Sequence, residues 1–206
     1  PPRTCEDELL PLLEAESGLD SGDFGLAFCP ERTLSGRALA DIRDGHPKVV
    51  GGVDDESTRV AELVYGELTD QPVVAVSDAT TAEAVKVYEG VYRDVNIALA
   101  NELARHADDL AIDVTEAIEA ANTQPYCELH DPGAGVGGHC IPYYPHFLTN
   151  RVEGDSPVVS TARDVNDAMP AFTANLALDG LASVGTRPED ADVLVLGLTY
   201  RPGVEE

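Results

Sequence analysis

The chain has 206 residues, which is enough for one large domain or for parts of two. Its 38 Asp and Glu residues outnumber its 13 Lys and Arg residues, and the resulting net charge of −25 repels nucleic acid and anionic membranes. No apolar run approaches the ~20 residues that cross a bilayer, and no secretory signal opens the chain. The sequence therefore predicts a cytoplasmic protein with no nucleic-acid or membrane partner.

Lysine is almost absent from the chain, since only Lys48 and Lys86 occur. The acidic residues are spread along the whole sequence and form no single tail. Such a surface repels itself unless salt screens it, and at molar salt the Debye length is about 3 Å. We interpret this as a halophilic protein from a high-salt cytoplasm, with an ordinary acidic protein as the alternative.

Helix and strand patterns alternate over the first 77 residues. The apolar spacing predicts a helix at 5–16, a strand within 23–32 that stops at Pro30 and runs into a loop, a strand at 48–52, a helix at 54–68 and a strand at 72–77. This order is typical of an α/β domain.

A long helix is predicted from about 78 to 109, where Gly90 is the only glycine and no proline occurs. Thr80 and Glu83 have the spacing of a capping box at its start. One apolar stripe steps along it by threes and fours, at Val85, Tyr88, Tyr92, Val95, Leu99 and Leu103. A helix of ~30 residues is longer than a small domain, so we expect it to join two domains or to form a dimer seam.

The rest of the chain predicts a second helix at 113–122, a loop at 123–150 and a helix from 158 to 181 that contains Pro170. The final segment, 189–206, contains a buried strand and a turn. We therefore predict an α/β domain over 1–77, a helical domain over 78–188 and the beginning of another domain at 189–206.

Cys140 lies in GVGGHCIPYYP (135–145), where Gly137, Gly138 and Pro142 exclude a regular helix. Glycines let a substrate approach the backbone closely and leave amide N–H groups to face an anion. The segment is compatible with a nucleophilic thiol, but for a lone cysteine a buried structural role is the favoured interpretation. A zinc site is a further alternative, but its candidate ligands do not match the paired spacings of structural zinc: Cys127, His130, His139, Cys140 and His146.

Other polar residues are candidates for weaker reasons. Lys86 sits in the middle of a helix in a protein that avoids lysine, where it could stabilise negative charge on a substrate oxygen. Glu31 follows a predicted strand, where α/β sheets place their active sites. Arg93 belongs to an RDVN segment that recurs at 163–166, and such groups more often form pairs between helices.

Five segments occur together in one order: PPRT (1–4), PER-x₃-G (30–36), AEAVKVYEGVYRDVNIALANELA (82–104), GAGVGGHCIPYYP (133–145) and GLTYRPGVEE (197–206). As a set they resemble the UDP-sugar 6-dehydrogenase family, and RDVNIALANELA is similar to its UDP-N-acetylmannosamine branch. The resemblance implies the C-terminal part of a Rossmann-like NAD-binding domain over 1–77, a central helical dimerisation and catalytic domain over 78–188, and the first strand of a Rossmann-like, UDP-binding C-terminal domain over 189–206. It also implies a homodimer through the long helix.

The resemblance implies an activity: two NAD-dependent oxidations at C6 of a UDP-sugar, from alcohol through aldehyde to acid. Cys140 then matches the nucleophile, which forms a thiohemiacetal and then a thioester. Lys86 matches a lysine that stabilises the oxyanion or moves protons, and Glu31 matches a carboxylate that positions water and is also a candidate for cofactor binding. The substrate-binding candidates are Arg93, Gly137, Gly138 and His139.

Two positions depart from the family pattern. Gly90 stands where the family usually has Asn, and Tyr144 stands where it usually has Asp. The alternative hypothesis is therefore an inactive, truncated remnant that serves at most as a helical dimerisation module. No G-x-G-x-x-G fingerprint precedes a helix in the chain, so we expect the 206 residues alone to bind NAD poorly.

Overall fold

A computed structural model describes residues 1–34 and 36–197. The chain forms two compact units. The first contains Pro1–Glu89 and His146–Glu153, and the second contains Gly90–Pro145 and the chain from Gly154 onward. The boundary thus falls inside the long helix, whereas the sequence places a domain boundary at the start of that helix.

The first unit carries the predicted alternation of helices and strands. A π-helical turn at Cys5–Leu9 leads into α1, Leu10–Ser17. The following elements are β1 at Ala27–Phe28, α2 at Ala38–Ala40 with a π-helical turn at Asp41–Gly45, β2 at Lys48–Gly52, α3 at Asp55–Leu68 and β3 at Val73–Ala75. The strand predicted at 23–32 is therefore reduced to two residues.

The three strands form one small sheet in the order β1-β2-β3. β1 pairs with β2 in antiparallel fashion, and β3 pairs with β2 in parallel. β2 is buried along its whole length. Its Gly51 is required by close packing, because a Cβ atom there would lie 2.1 Å from the carbonyl oxygen of Asp78.

The start of the long helix differs from the predicted capping box. α4, Ala79–Leu110, is capped by Asp78, whose carboxylate accepts a hydrogen bond from the backbone N–H of Thr81 at 2.6 Å. The Glu83 carboxylate instead accepts the backbone N–H groups of Thr4 (3.1 Å) and Cys5 (2.8 Å). The predicted capping box of Thr80 and Glu83 is therefore wrong. The buried Glu83 carboxylate accepts hydrogen bonds from the backbone at the start of another helical segment, Cys5–Leu9.

The second unit is helical in the residues described. Beside its part of α4 it contains α5 at Val114–Ala121, α7 at Pro157–Ser183 and a 3₁₀ turn at Pro188–Asp190. The predicted helices at 113–122 and 158–181 are confirmed, with Pro170 inside α7. The predicted loop at 123–150 contains a short helix that the sequence analysis missed, α6 at Tyr144–Thr149.

Buried polar side chains join α4 to α7. Arg163 makes an ion pair with Asp94 and also contacts Asp167. The Asn166 side-chain amide donates to the Asp94 carboxylate at 2.9 Å, and the Asn101 amide donates to the Asn166 side-chain oxygen at 2.9 Å. Asp94, Asn101 and Asn166 have no solvent exposure, so each depends on the others for hydrogen bonds.

The predicted apolar stripe of α4 is not its buried face. Tyr88, Tyr92 and Leu99 are 59%, 50% and 48% exposed, respectively. Small and polar residues are buried instead: Ala79, Ala82, Glu83, Val87, Gly90, Asp94, Ala98, Ala100, Asn101 and Ala107. The periodicity was correct for a helix, but the stripe is exposed at these three positions and half-buried at Val85, Val95 and Leu103.

The buried strand predicted near the end of the chain is not found at 191–197, where the described residues contain no strand. Val193–Leu196 are exposed. An isolated strand has no neighbour with which to pair its backbone groups, which is the physical reason for the difference. The rest of that prediction, 198–206, lies outside the described residues. Among the helices described, none is both long and apolar enough to span a membrane.

Candidate functional site

The first unit brings Glu31 and Lys86 together. Glu31 follows β1 after Pro30, and its carboxylate lies 3.5 Å from the Lys86 ammonium on α4. Burial acts to raise the pKa of Glu31, but hydrogen bonds from the Thr33 hydroxyl and backbone, together with the Lys86 charge, hold that pKa below its ordinary value. Glu31 is therefore an ionised carboxylate that lies beside the Lys86 ammonium.

A second ion pair ties the same loop to α4. Arg32 lies 2.6 Å from Glu89, which follows Lys86 by three residues on the helix. The chain's other lysine, Lys48, is buried and donates to the carbonyl oxygen of Asp41 at 2.8 Å. Both lysines thus serve internal contacts, which explains why they persist in a chain that otherwise avoids this residue.

In the second unit, asparagine side chains hold the loop that leads to Cys140. The Asn96 side chain on α4 accepts the His130 backbone N–H at 2.8 Å and donates to the Glu128 carbonyl at 2.7 Å. Asn122 makes the same two-way contact with Leu129, at 2.8 and 2.9 Å. The backbone of this irregular segment lacks the hydrogen-bond partners that a strand or helix provides, and these side-chain amides supply them.

The anchoring continues to Gly135. The buried Asn101 accepts the Gly133 backbone N–H at 2.8 Å. Gly135 has φ +146°, and a Cβ atom there would lie 3.3 Å from a ring carbon of Pro170. The loop therefore approaches α7 closely at a position that only glycine fits without strain.

Beyond this point the loop opens to solvent. Gly137, Gly138, His139 and Cys140 are all exposed, and Gly138 has φ +89° with no atom near the place of a Cβ. The Cys140 carbonyl oxygen accepts the backbone N–H groups of Tyr143 (3.0 Å) and Tyr144 (3.1 Å), which begins α6.

Cys140 is therefore not a buried structural cysteine, which was the favoured interpretation for a lone cysteine. The buried cysteine of this chain is Cys5, whose pKa is raised to about 12 by burial and by the neighbouring Glu83 carboxylate. An exposed thiol on a bare backbone is open to attack an electrophilic substrate, whereas Cys5 is not.

The zinc candidates have other contacts. The Cys127 sulfur lies 3.6 Å from the Asn122 side-chain oxygen, and the His130 ring meets the Tyr92 ring edge-to-face at 5.7 Å. Across residues 1–34 and 36–197, no group of three or more His, Cys, Asp or Glu side chains is arranged to hold a metal ion.

The two RDVN segments meet between helices, as the ion pair of Asp94 with Arg163 shows. Arg93 itself is exposed. Burial raises the pKa of Asp94 above its ordinary value, although Arg163 and Asn166 act in the opposite direction. The ion pair of Asp94 with Arg163 therefore helps to hold the loop indirectly. Asn166 donates to Asp94 and accepts from Asn101, and Asn101 holds the loop.

The two departures from the family pattern are in contact. A Cβ atom on Gly90 would lie 1.8 Å from Cδ2 of the Tyr144 ring. The structure thus brings together Glu31 with Lys86 in one unit, and Cys140 with Tyr144 and Gly90 in the other. The anchoring role of Asn96, Asn101 and Asn122 was missed, since asparagine in a helix has no pattern that reports its loop partner.

Family models match two segments of the chain. Residues 1–69 match the NAD binding domain of the UDP-glucose/GDP-mannose dehydrogenase family, and residues 80–168 match its central domain. The chain belongs to the UDP-glucose/GDP-mannose dehydrogenase family. In this family it is similar to the UDP-N-acetyl-D-mannosamine dehydrogenase of Pyrococcus horikoshii, with 41% identity over 100% of this chain and 49% of the relative.

Other members agree. The UDP-N-acetyl-D-mannosamine dehydrogenase of Methanocaldococcus jannaschii is 39% identical over 88% of this chain and 40% of its own length. The solved structure of the Pyrococcus horikoshii enzyme has a TM-score of 0.93 at 41% identity, covering 98% of this chain and 48% of that one. The Staphylococcus aureus UDP-N-acetyl-mannosamine dehydrogenase gives 0.83 at 34% identity, covering 100% and 47%. The chain thus spans about half the length of these relatives.

Proposed function

We propose that this chain is the part of an NAD-dependent dehydrogenase that carries its catalytic residues. The whole enzyme oxidises a UDP-sugar, UDP-N-acetyl-D-mannosamine, at C6 to the acid. The observation that carries the proposal is the exposed Cys140 on a bare backbone within the family's central domain. The substrate follows the names of the most similar relatives.

In the proposed reaction, the Cys140 sulfur forms a bond to the aldehyde carbon of the sugar, and the carbonyl oxygen becomes an alkoxide that is protonated to a thiohemiacetal. Loss of a hydride from that carbon, and of the hydroxyl proton, leaves a thioester. Water then attacks the thioester carbon, the C–S bond breaks, and the thiol regains a proton. NAD, when bound in the whole enzyme, accepts one hydride in each of the two oxidations.

The charged residues take supporting roles. Lys86 stabilises developing negative charge on the sugar oxygen, and Glu31, held ionised, positions the water or contributes to the cofactor site. Gly137 and Gly138 leave room for the sugar beside the thiol. His139 and Arg93, both exposed, are the side chains proposed to contact the substrate.

The NAD pyrophosphate does not fit the described residues by themselves. Two turns lead directly from a strand into a long helix, and each places an aspartate at the helix start. Asp54 accepts from the Ser57 N–H at 2.6 Å and Asp78 from the Thr81 N–H at 2.6 Å. A carboxylate therefore already occupies the position where a helix start binds phosphate. We propose that other residues of the whole enzyme hold this part of NAD.

We also propose that the protein is a homodimer that uses the exposed stripe of α4 in a high-salt cytoplasm. The exposed Tyr88, Tyr92 and Leu99 support the dimer, because large apolar side chains in one row mark an interaction face. The net charge of −25 and the internal placement of both lysines support the high-salt setting. Sedimentation of the chain in molar KCl, with Tyr92→Glu as the disrupting variant, tests the dimer.

The activity test uses a polypeptide in which this chain is joined to the remaining half of the Pyrococcus horikoshii relative. We expect UDP-N-acetyl-D-mannosamine to reduce about two NAD per sugar, since the two oxidations release two hydrides. Cys140→Ala should abolish acid formation, and Cys127→Ala is the matched control that should retain it. Acid formation by Cys140→Ala at the unaltered rate would overturn the mechanism.

An inactive remnant that acts only as a dimerisation module is the second candidate, favoured by Gly90 and Tyr144 at two departures from the family pattern. The same assay separates the two. If the joined polypeptide is inactive, and stays inactive with Gly90→Asn and Tyr144→Asp together, the dehydrogenase proposal is wrong and the second candidate holds.

A further inference from the structure

We infer that Tyr144 is a positioning residue for Cys140. Its ring packs directly on the backbone of α4 at Gly90, and this packing position is called the seat. The inference deepens the proposed function and rests on it for its catalytic meaning. Its geometry lies entirely within the second unit.

The seat is defined by how closely the ring approaches the helix. A Cβ atom on Gly90 would lie 1.8 Å from Cδ2, 2.6 Å from Cγ and 2.8 Å from Cε2 of Tyr144. These distances are far below any van der Waals contact, so no residue other than glycine fits at position 90 while the ring remains in place. Glycine is unfavourable inside a helix, and this contact supplies the physical reason for its presence.

The ring is linked to the thiol through two backbone hydrogen bonds. The N–H groups of Tyr143 and Tyr144 both donate to the Cys140 carbonyl oxygen, at 3.0 and 3.1 Å. Fixing the Tyr144 side chain on α4 therefore fixes the turn that carries Cys140. The opposite end of the glycine-rich segment is held by Asn101 at Gly133.

Cys140 is thus tethered on both sides of a segment that has little rigidity of its own. Gly137 and Gly138 are exposed, and no atom of the described residues lies near the place of a Cβ on Gly138, so local packing within the described chain does not restrain Gly138. The tether that lies nearer to the thiol in sequence is the one at Tyr144.

The two departures from the family pattern, Gly90 and Tyr144, therefore depend on each other. A side chain restored at position 90 alone would meet the Tyr144 ring, and a small residue at position 144 alone would leave the seat empty. The two positions should show strong non-additivity, as residues in direct contact do.

The test is hydrogen exchange of the Tyr143 and Tyr144 amides in the 206-residue chain, followed by mass spectrometry. We expect Tyr144→Ala and Gly90→Ala each to speed this exchange by about tenfold, because each empties or blocks the seat. The double variant should match Tyr144→Ala alone, since no ring remains for the new methyl group to displace. Tyr144→Phe, which keeps the ring, should exchange more slowly than Tyr144→Ala.

Two internal controls separate local positioning from general unfolding. Gly180→Ala changes a glycine inside α7 that has no atom near the place of a Cβ, and it should leave the exchange unchanged. The amides of α5 report on the fold of the second unit and should also be unchanged in every variant. Unaltered exchange in Tyr144→Ala, additive effects in the double variant, or faster exchange throughout α5 would each overturn the inference.

Measurements of kcat and KM test whether the position of the Tyr144 ring matters for the proposed reaction. In the joined polypeptide, Tyr144→Ala should lower kcat by about tenfold or more with little change in KM, and Tyr144→Phe should retain a higher kcat than Tyr144→Ala. An unchanged kcat in Tyr144→Ala would overturn the positioning role. If the parent polypeptide shows no turnover, the proposed function has failed, and the exchange experiment still decides whether the seat exists.

Discussion

The loop between α5 and α6 has two halves that are built in opposite ways. From Glu128 to Gly135 its backbone is held by three asparagine side chains and by close packing against α7. From Gly137 to Cys140 it is exposed, and glycine replaces side-chain packing. The first half fixes where the loop lies, and the second half leaves the Cys140 thiol exposed. The anchoring hydrogen bonds and close packing thus lie next to the segment that carries Cys140 and not within it.

The largest expected effect comes from breaking the buried network behind the anchored half. Asp94→Ala removes the buried carboxylate that Arg163 and Asn166 share, and leaves the buried Arg163 guanidinium with the exposed Asp167 carboxylate alone. We expect a loss of about 3–5 kcal/mol in the free energy of unfolding, because removing one member of a buried pair is costly. Asp164→Ala, at an exposed neighbouring position on α7, should cost less than about 0.5 kcal/mol. Urea denaturation in molar KCl measures both, and equal effects would contradict the account.

A further effect concerns the anchor itself. Asn96→Ala leaves the His130 N–H and the Glu128 carbonyl without their side-chain partner, at a cost of about 1 kcal/mol, because water reaches these partly exposed groups. Hydrogen exchange at the His130 amide should rise, whereas Glu102→Ala, at an exposed position of the same helix, should leave it unchanged. A His130 amide that stays protected in Asn96→Ala would show that the asparagine does not hold the loop.

A pair of glycine variants compares the two halves directly. Gly135→Ala combines φ +146° with contact against Pro170, and we expect it to cost about 2–3 kcal/mol. Gly138→Ala has φ +89° but open space, and should cost about 1 kcal/mol. Gly154→Ala, which has neither a positive φ nor a close neighbour, is the control near zero. Thermal unfolding ranks the three, and a larger cost at Gly138 than at Gly135 would reverse the comparison.

The smallest effect is expected at the partly exposed pair in the first unit. The lowered pKa of Glu31 means that its ionised form stabilises the native state above its ordinary pKa, and that this contribution is lost as pH falls through the lowered value. Thr33→Val should move the pKa of Glu31 upward, and Lys86→Met should do so by less. Arg32→Met, which removes a cation paired with Glu89, is the control. Carboxylate NMR titration measures the shifts, and a lower pKa in Thr33→Val would contradict the assignment.

Elements with strong local patterns were predictable from the sequence. The long helix was placed within about one residue at each end, and Asp113 begins α5 by accepting the N–H groups of Thr115 and Glu116. Cys140 was singled out because glycines and prolines around a thiol form a local signal, and its role as a nucleophile remains a prediction from the resemblance. Each of these features depends on residues that are close together in sequence.

Features that depend on distant contacts were missed. Glu83 has the spacing of a capping box, but it binds the N–H groups of Thr4 and Cys5, which lie near the start of the chain. Gly90 and Tyr144 each read as a departure from the family pattern, and only their contact shows that one makes room for the other. Periodicity reports which residues share a helix face but not which partner covers it, as the exposed Tyr88 and Tyr92 show.

The most direct test is whether a sugar becomes covalently attached to the sulfur of Cys140 during turnover. The joined polypeptide would be quenched in acid while it oxidises UDP-N-acetyl-D-mannosamine, digested, and analysed by mass spectrometry. We predict an acyl adduct on the peptide that contains Cys140, and none on the peptides that contain Cys29 or Cys127. Steady formation of the sugar acid by Cys140→Ala, with no adduct in the parent polypeptide, would contradict the account.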